Sequence, residues 1–248
     1  MYLKITLSSS FEDKKIKLPL QYNYYIQSMI YRLLEKEMAY FLHEKGFELG
    51  KRRFKMFCFS QLIGNYKIDK EDKEIIFDDQ VDLYVSSPMD EFLIQLSNSF
   101  LLNDDIKLYN NSLVVRNVKS GRDAFEGNKV IVQTLSPITV YSTLYKAEGS
   151  KYTCYYSPID KEFSNLIKEN VCKKYKAYFK KEPCSSQFFI LPIGKTKLHV
   201  LNYKGVLIKG YSGRFALEGD RELIELALNT GIGGKNSQGF GYIKILGT

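Results

Sequence analysis

Residues 231–241 read Gly-Ile-Gly-Gly-Lys-Asn-Ser-Gln-Gly-Phe-Gly, between a helical run, Leu223 to Leu228, and a closing strand, Tyr242 to Leu246. Glycines at 231, 233, 234, 239 and 241 let the backbone take positive φ and approach a neighbour closely. Gly231, Gly233, Gly234, Gly239 and Gly241, with Lys235, Asn236 and Ser237 among them, form either a candidate phosphate clamp, in which loop amides would donate and Lys235 would add charge, or a plain tight connection. Two familiar glycine signatures do not fit. The Walker pattern needs Gly-Lys followed by Ser or Thr and a helix, and the dinucleotide fingerprint needs a strand before and a helix after. Here the helix comes first and a strand follows.

Outward from this loop, one order of elements occurs twice. Tyr2 to Ser8 alternates apolar and polar residues and predicts a strand. Asn23 is placed to cap a helix burying Ile26, Met29, Ile30, Leu33 and Leu34, and a short helical turn follows to Leu42-His43. Phe54 to Ser60, Glu74 to Phe77 and Val81 to Ser86 predict strands, Pro88 suits the first turn of a helix to Leu102, and Leu113 to Lys119 closes the set. The second half predicts a strand at Val130 to Leu135 and a lysine-rich helix from Pro158 to Tyr178. Strands at Phe188 to Leu191, Lys197 to Val200 and Tyr203 to Ala216 follow, then a helix from Asp220 and the last strand. Strand, helix, strand, strand, helix, strand is the order of ferredoxin-like domains. The expected fold is α+β, two tandem ferredoxin-like domains at 1–125 and 126–248. Element order alone carries the duplication, since the halves share no residue-level similarity.

The 248 residues are 44% apolar and 26% charged, enough for a sizeable core. No run of 18 apolar residues exists and the chain opens on a strand rather than a leader, so a cytosolic protein is expected. The net charge is +8, and it is lopsided: the first 125 residues carry 18 basic and 18 acidic residues, the rest 18 and 10. A basic second half points to a polyanionic partner. Nineteen tyrosines and 16 phenylalanines fill a core and leave flat faces for stacking on unpaired bases. Cys58, Cys154, Cys172 and Cys184 stand far apart and only two histidines are present, which points to reduced thiols and away from a structural zinc.

Several motifs then combine. Gly231-Ile-Gly233, five residues, and Gly239-Phe240-Gly241 resemble the C-terminal glycine-rich motif of the repeat-associated RNA-binding superfamily of CRISPR systems. Tyr24-Tyr25-x-Gln27-x-x-Ile30-Tyr31, Leu42-His43-Glu44, Lys55-x-Phe57-x-Phe59-Ser60 and Thr134-Leu135-Ser136-Pro137-Ile138, in that order, resemble the CRISPR endoribonuclease family Cas6. The resemblance implies binding of CRISPR repeat RNA and cleavage of its precursor within the repeat, without metal or cofactor. The ribose 2′-hydroxyl attacks the adjacent phosphate and leaves 2′,3′-cyclic phosphate and 5′-hydroxyl ends. Such a reaction needs proton transfer and positive charge over the phosphorane.

The resemblance makes His43 the general acid or base, since an imidazole gives or takes a proton near neutrality. It makes Tyr31 a group that orients or deprotonates the nucleophile, a hydrogen-bonding role being the safer one because a phenol is a poor base. Lys55 would stabilise the phosphorane as a point charge, with Arg52 or Arg53 as substitutes in the longer basic stretch that also holds Lys51. RNA contacts are expected from Lys51, Arg52 and Arg53, from Lys195, Lys197, Lys204, Lys209 and Arg214, and from the glycine loop. Lysines of the Pro158 helix, Lys173 and Lys174 among them, form a solvated stripe that could meet phosphates. His199 matches no motif and is expected to be structural. A CRISPR interference complex and a homodimer are further partner classes. The rival readings are a relative that holds repeat RNA without cutting it, a backbone subunit of an interference complex, and a generic tandem RRM-like RNA-binding protein.

Overall fold

The computed structural model describes residues 1–246. In the first half β1 (Tyr2–Ser9) is followed by β2 (Lys15–Pro19), α1 (Asn23–Leu33) and α2 (Lys36–Tyr40), which runs into a π-helical turn, Phe41–Lys45. Then come β3 (Phe47–Leu49), β4 (Arg52–Phe54), β5 (Cys58–Phe59), β6 (Tyr66–Asp69), β7 (Glu74–Asp78), β8 (Gln80–Ser86), α3 (Asp90–Leu102), β9 (Ile106–Leu108) and β10 (Asn111–Gly121). The main sheet runs β5-β8-β1-β10-β9, all antiparallel. The first strand of the βαββαβ set thus lies between the third and the fourth, with the second outside the third, the ferredoxin-like arrangement. Alternation sends Leu3, Ile5 and Leu7 of β1 inward, where they meet Ile26, Met29 and Ile30 of α1 and Phe92, Leu96 and Phe100 of α3 in one cluster. Each such side chain contributes roughly 1.5–3 kcal/mol by leaving water.

The second half repeats the plan: β11 (Lys129–Thr134), β12 (Tyr141–Tyr145), β13 (Lys151–Tyr155), α4 (Lys161–Phe179), β14 (Phe188–Tyr203), β15 (Val206–Gly219), α5 (Arg221–Thr230), a 3₁₀ turn at Asn236–Gln238 and β16 (Ile243–Ile245). Its sheet order, β14-β15-β11-β16, is again second-third-first-fourth. The Asp220 carboxylate caps α5 by accepting from the amides of Glu222 and Leu223. Phe163, Ile167 and Val171 of α4 and Leu223, Ile224 and Ala227 of α5 cover the sheet in a second buried cluster, which also takes in Phe125.

Several elements differ from the sequence expectation. Asn23 is the first residue of α1 rather than its cap, and its side chain makes no capping bond because it reaches across to the glycine loop. Glu74–Asp78 pairs with β2 and β6 in a separate three-stranded sheet, so it is no member of the ferredoxin-like set. The expected strand from Phe54 to Ser60 is broken at Met56, whose φ of 54° lies in the left-handed region. Phe54 ends the β3–β4 hairpin, and pairing resumes at Cys58 on the main sheet. The three short strands expected between Phe188 and Ala216 are two long ones. Pro192, Gly194 and a register shift between Ile193 and Lys197 disguise β14, and a Lys204–Gly205 turn, positive in φ at both positions, joins it to β15.

The two halves meet along β5 and the glycine loop. The amide of Gln61 donates to the Leu135 carbonyl, the Ser136 hydroxyl to the Phe59 carbonyl, and the Cys58 thiol to the Phe240 carbonyl. The rings of Tyr84 and Tyr242 lie 6.1 Å apart across the same seam.

Candidate active site

His43 sits in the middle of the π-helical turn, where the chain widens to let the Gly46 amide reach the Phe41 carbonyl at 2.7 Å. Turns of this kind re-aim side chains and recur at functional sites. The ring projects into solvent, 73% exposed, and its Nδ1 lies 2.6 Å from the Glu44 carboxylate. A carboxylate only accepts, so Nδ1 carries the hydrogen and the neutral ring presents the lone pair of Nε2 outward. From α1, twelve residues earlier in the chain, Tyr31 stands edge-on to the imidazole, ring centres 5.9 Å apart, and packs equally close to Phe57. Burial pushes the Tyr31 phenol up to about 12, which removes it as a base and leaves it a hydrogen-bonding group.

Lys55 completes the cluster. It leaves the end of β4, before the left-handed Met56, and its ammonium donates to the His43 carbonyl at 2.5 Å. Burial lowers its pKa, with Arg53 adding to the effect and Glu44 opposing it. Tyr31, His43 and Lys55 are thus gathered from three separate segments. Arg53 is engaged with the Glu44 carbonyl at 2.8 Å and the Glu48 carboxylate at 3.0 Å. Lys51 is exposed at the tip of the same hairpin.

Lys55 also lines the rim of a cleft of about 530 Å³ between the two halves. Arg52, Arg53, Lys55, Lys173 and Lys235 give its wall positive charge, against Glu169, which is held by Lys173 at 2.8 Å. A concave wall of one sign concentrates potential for a polyanion. The basic residues of the long arm formed by β14 and β15 do not contribute here. Lys195, Lys197, Lys204, Lys209 and Arg214 are exposed along β14, the Lys204–Gly205 turn and β15, outside the cleft lining. His199, on the same arm, bonds the Ser212 hydroxyl at 2.7 Å, and burial followed by Lys197 lowers its pKa.

The glycine loop forms the floor of the cleft and is mostly turned inward. The amides of Ile232, Gly234, Gly239 and Gly241 are spent on protein carbonyls, the last on Pro137. Gly231, Gly233, Gly239 and Gly241 are buried, and of these four only Gly233 reaches the cleft lining, beside the partly exposed Gly234, Lys235, Ser237 and Gln238. The glycines serve close approach. At Gly239, with φ of +81°, a Cβ would stand 2.5 Å from the Phe59 ring and 2.7 Å from the Asn23 amide. That amide donates to the Gln238 and Gly239 carbonyls, and Gln27 donates to the Ser237 carbonyl at 2.7 Å. Asn236 is also structural: its amide spans the Ile232 and Phe240 carbonyls.

Lys174 departs furthest from expectation. Instead of joining a solvated stripe it is buried beneath the loop, donating to the Gly231 carbonyl and the Asn236 Oδ1, both at 2.7 Å, and reaching Thr230 at 3.3 Å. Burial lowers its pKa to about 7 and raises that of neighbouring Cys58 to about 12. Sequence gave no sign of this: Lys174 is one lysine in a run, and only the inward register of Phe163, Ile167 and Val171 on α4 hints that position 174 shares their face.

Residues 17–119 match the model "CRISPR-associated protein Cas6, N-terminal", and residues 117–245 match "CRISPR associated protein Cas6, C-terminal". The chain belongs to the Cas6 family. It is 28% identical over 253 residues to the CRISPR-associated endoribonuclease Cas6 of Pyrococcus furiosus, covering 100% of this chain and 90% of that one. It is 30% identical to CRISPR-associated endoribonuclease Cas6 1 of Methanocaldococcus jannaschii, covering 93% and 88%. A solved structure described as CRISPR associated protein Cas6 superposes with a TM-score of 0.80 at 25% identity, over 100% of this chain and 99% of that one. The tandem ferredoxin-like fold is therefore that of Cas6. Among the described residues no helix is long and apolar enough to cross a membrane.

Proposed function

We propose that this Cas6 chain is a metal-independent endoribonuclease that binds CRISPR repeat RNA and cuts its precursor within the repeat. The observation that carries the reading is the Tyr31–His43–Lys55 cluster, whose Lys55 lines a basic cleft. RNA lies in the cleft with the scissile phosphate over Lys55. The 2′-oxygen attacks phosphorus, its proton passes to the bare Nε2 of His43, and the bond to the 5′-oxygen breaks as that oxygen takes a proton from solvent water. Glu44 holds the ring in the tautomer that can accept. Tyr31 orients the ribose through its hydroxyl, and Lys55 offsets the charge of the phosphorane. We take 1–125 as the catalytic domain and 126–248 as the domain that supplies Lys173, Lys235 and the loop floor, and we place the protein in the cytoplasm, where precursor RNA is made.

The curated relatives of this chain named endoribonuclease support cutting over mere retention, as does the open side of His43. The deciding experiment incubates labelled cognate repeat RNA with wild type and His43→Ala in excess EDTA. Wild type cuts; the variant binds equally well and cuts slower by roughly 10² to 10⁴, the usual worth of positioned proton transfer. Undiminished cutting by the variant, or loss of wild-type cutting on chelation, refutes the mechanism.

A further inference from the structure

The β12–β13 hairpin, absent from the sequence expectation, belongs to neither ferredoxin-like sheet and presents a surface beside the cleft that the mechanism leaves unused. Side chains alternate across a strand, and the pairing Tyr141↔Tyr155, Thr143↔Thr153, Tyr145↔Lys151 sets these six on one face of the ribbon. A lysine stands at each end of it, with rings and the Thr143–Thr153 pair between. At its foot the Lys235 ammonium stands 5.5 Å from the Tyr141 ring centre, and both residues line the cleft. Next, the Tyr141 and Tyr155 rings lie 5.8 Å apart, with the Tyr155 hydroxyl tied to the Leu207 carbonyl. At the far end the Lys151 ammonium stands 5.6 Å from the Tyr145 ring. The five residues of β12 carry this face about 17 Å out from the cleft at ~3.4 Å per residue.

None of these rings fills either core, and Tyr145 is 65% exposed. The only carboxylate in the turn, Glu148, is paired with Lys146 at 3.7 Å and accepts from the Ser150 hydroxyl. Accessible rings, with ammonium groups over Tyr141 and Tyr145, match a strand that offers both flat faces and phosphates. A duplex would bring phosphates but hide its base faces, so the rings select an unpaired strand.

We propose that the Tyr141–Tyr155–Tyr145 face of this hairpin is a stacking platform for an unpaired RNA segment as it leaves the cleft. The inference rests on the reading of the cleft as an RNA-processing site. It is tested with cognate repeat RNA carrying 5-iodouridine in place of each uridine in turn, and with a plain fluorescein-labelled oligouridine. Photo-cross-links from the repeat map to Tyr145 or Tyr141. Tyr145→Ala weakens binding of both RNAs about 10-fold or more, Tyr145→Phe restores it, and Tyr152→Ala, on the opposite face, leaves it unchanged. Lys151→Ala lowers the salt dependence of binding by about one unit. Wild-type affinity in Tyr145→Ala, or an equal loss in Tyr152→Ala, overturns the platform. Failure of wild type to cut the repeat would instead count against the cleavage reading, and the oligouridine series would still decide the platform.

Discussion

At the residue scale the proposed chemistry turns on how three side chains with different ordinary habits are held. Glu44 fixes which nitrogen of His43 faces outward, and it does so from the next position in the chain, a device that only the widened turn permits. In this proposal Tyr31 contributes a hydroxyl and no base, because burial against a wall that includes Phe57 disfavours its phenolate. Tyr31→Phe should therefore cost no more than about 10-fold in single-turnover rate, the worth of one hydrogen bond, and leave the rise of rate with pH where it is. A rise with pH that vanishes in the variant would identify Tyr31 as the base. Glu44→Gln should keep the fold and lower the rate with little change in RNA affinity, measured by single-turnover cleavage beside equilibrium binding, since a carboxamide can offer its NH₂ to Nδ1 and hold the wrong tautomer.

At the scale of elements, the glycine loop is held from below by one buried ammonium and from the side by two amides of α1. Lys174→Met strands the Asn236 Oδ1 and the Gly231 and Thr230 carbonyls, and should cost about 3 kcal/mol in urea unfolding near neutrality, since each buried orphan costs about 1–3 kcal/mol. The pH dependence has a definite sign. Lys174 parts with its proton at about 7 in the fold, against ~10.4 in an unfolded chain. Between those values the unfolded chain binds the extra proton, so this residue's contribution to stability climbs from about pH 7 to about pH 10 and is flat below. Unfolding curves at pH 6, 7.5 and 9 should show the climb in wild type and lack it in the variant.

These same elements show what a sequence discloses. The period-2 pattern of Tyr2–Ser8 and the helical stripe of α1 are written locally, so β1, α1 and their buried faces are legible. The ordered motifs led to Tyr31, His43 and Lys55. The β12–β13 hairpin was not legible, since Tyr141 to Tyr155 has no core face and hence no hydrophobic alternation. Nor was the inward turn of the glycine loop, because its partners Asn23, Gln27 and Pro137 lie 100 or more residues away in the chain.

At the scale of the whole molecule, the net charge of +8 matters less than where the cleft gathers it. Arg52 comes from the first half and Lys173 and Lys235 from the second, so the potential exists only when both halves are in place. Arg52→Ala and Lys235→Ala should each reduce the slope of log affinity against log salt by about one, read from binding titrations of repeat RNA between 50 and 200 mM salt. An unchanged slope in both variants would move the RNA path off the cleft. The most direct test is a single oxygen. Repeat RNA with 2′-deoxyribose at the scissile position should bind as tightly as the all-ribose strand and remain uncut, while the ordinary strand yields 2′,3′-cyclic phosphate and 5′-hydroxyl ends. Cutting of the deoxy strand, or a 5′-phosphate on the product, would show that water rather than the ribose attacks and that His43 does not take the 2′-proton.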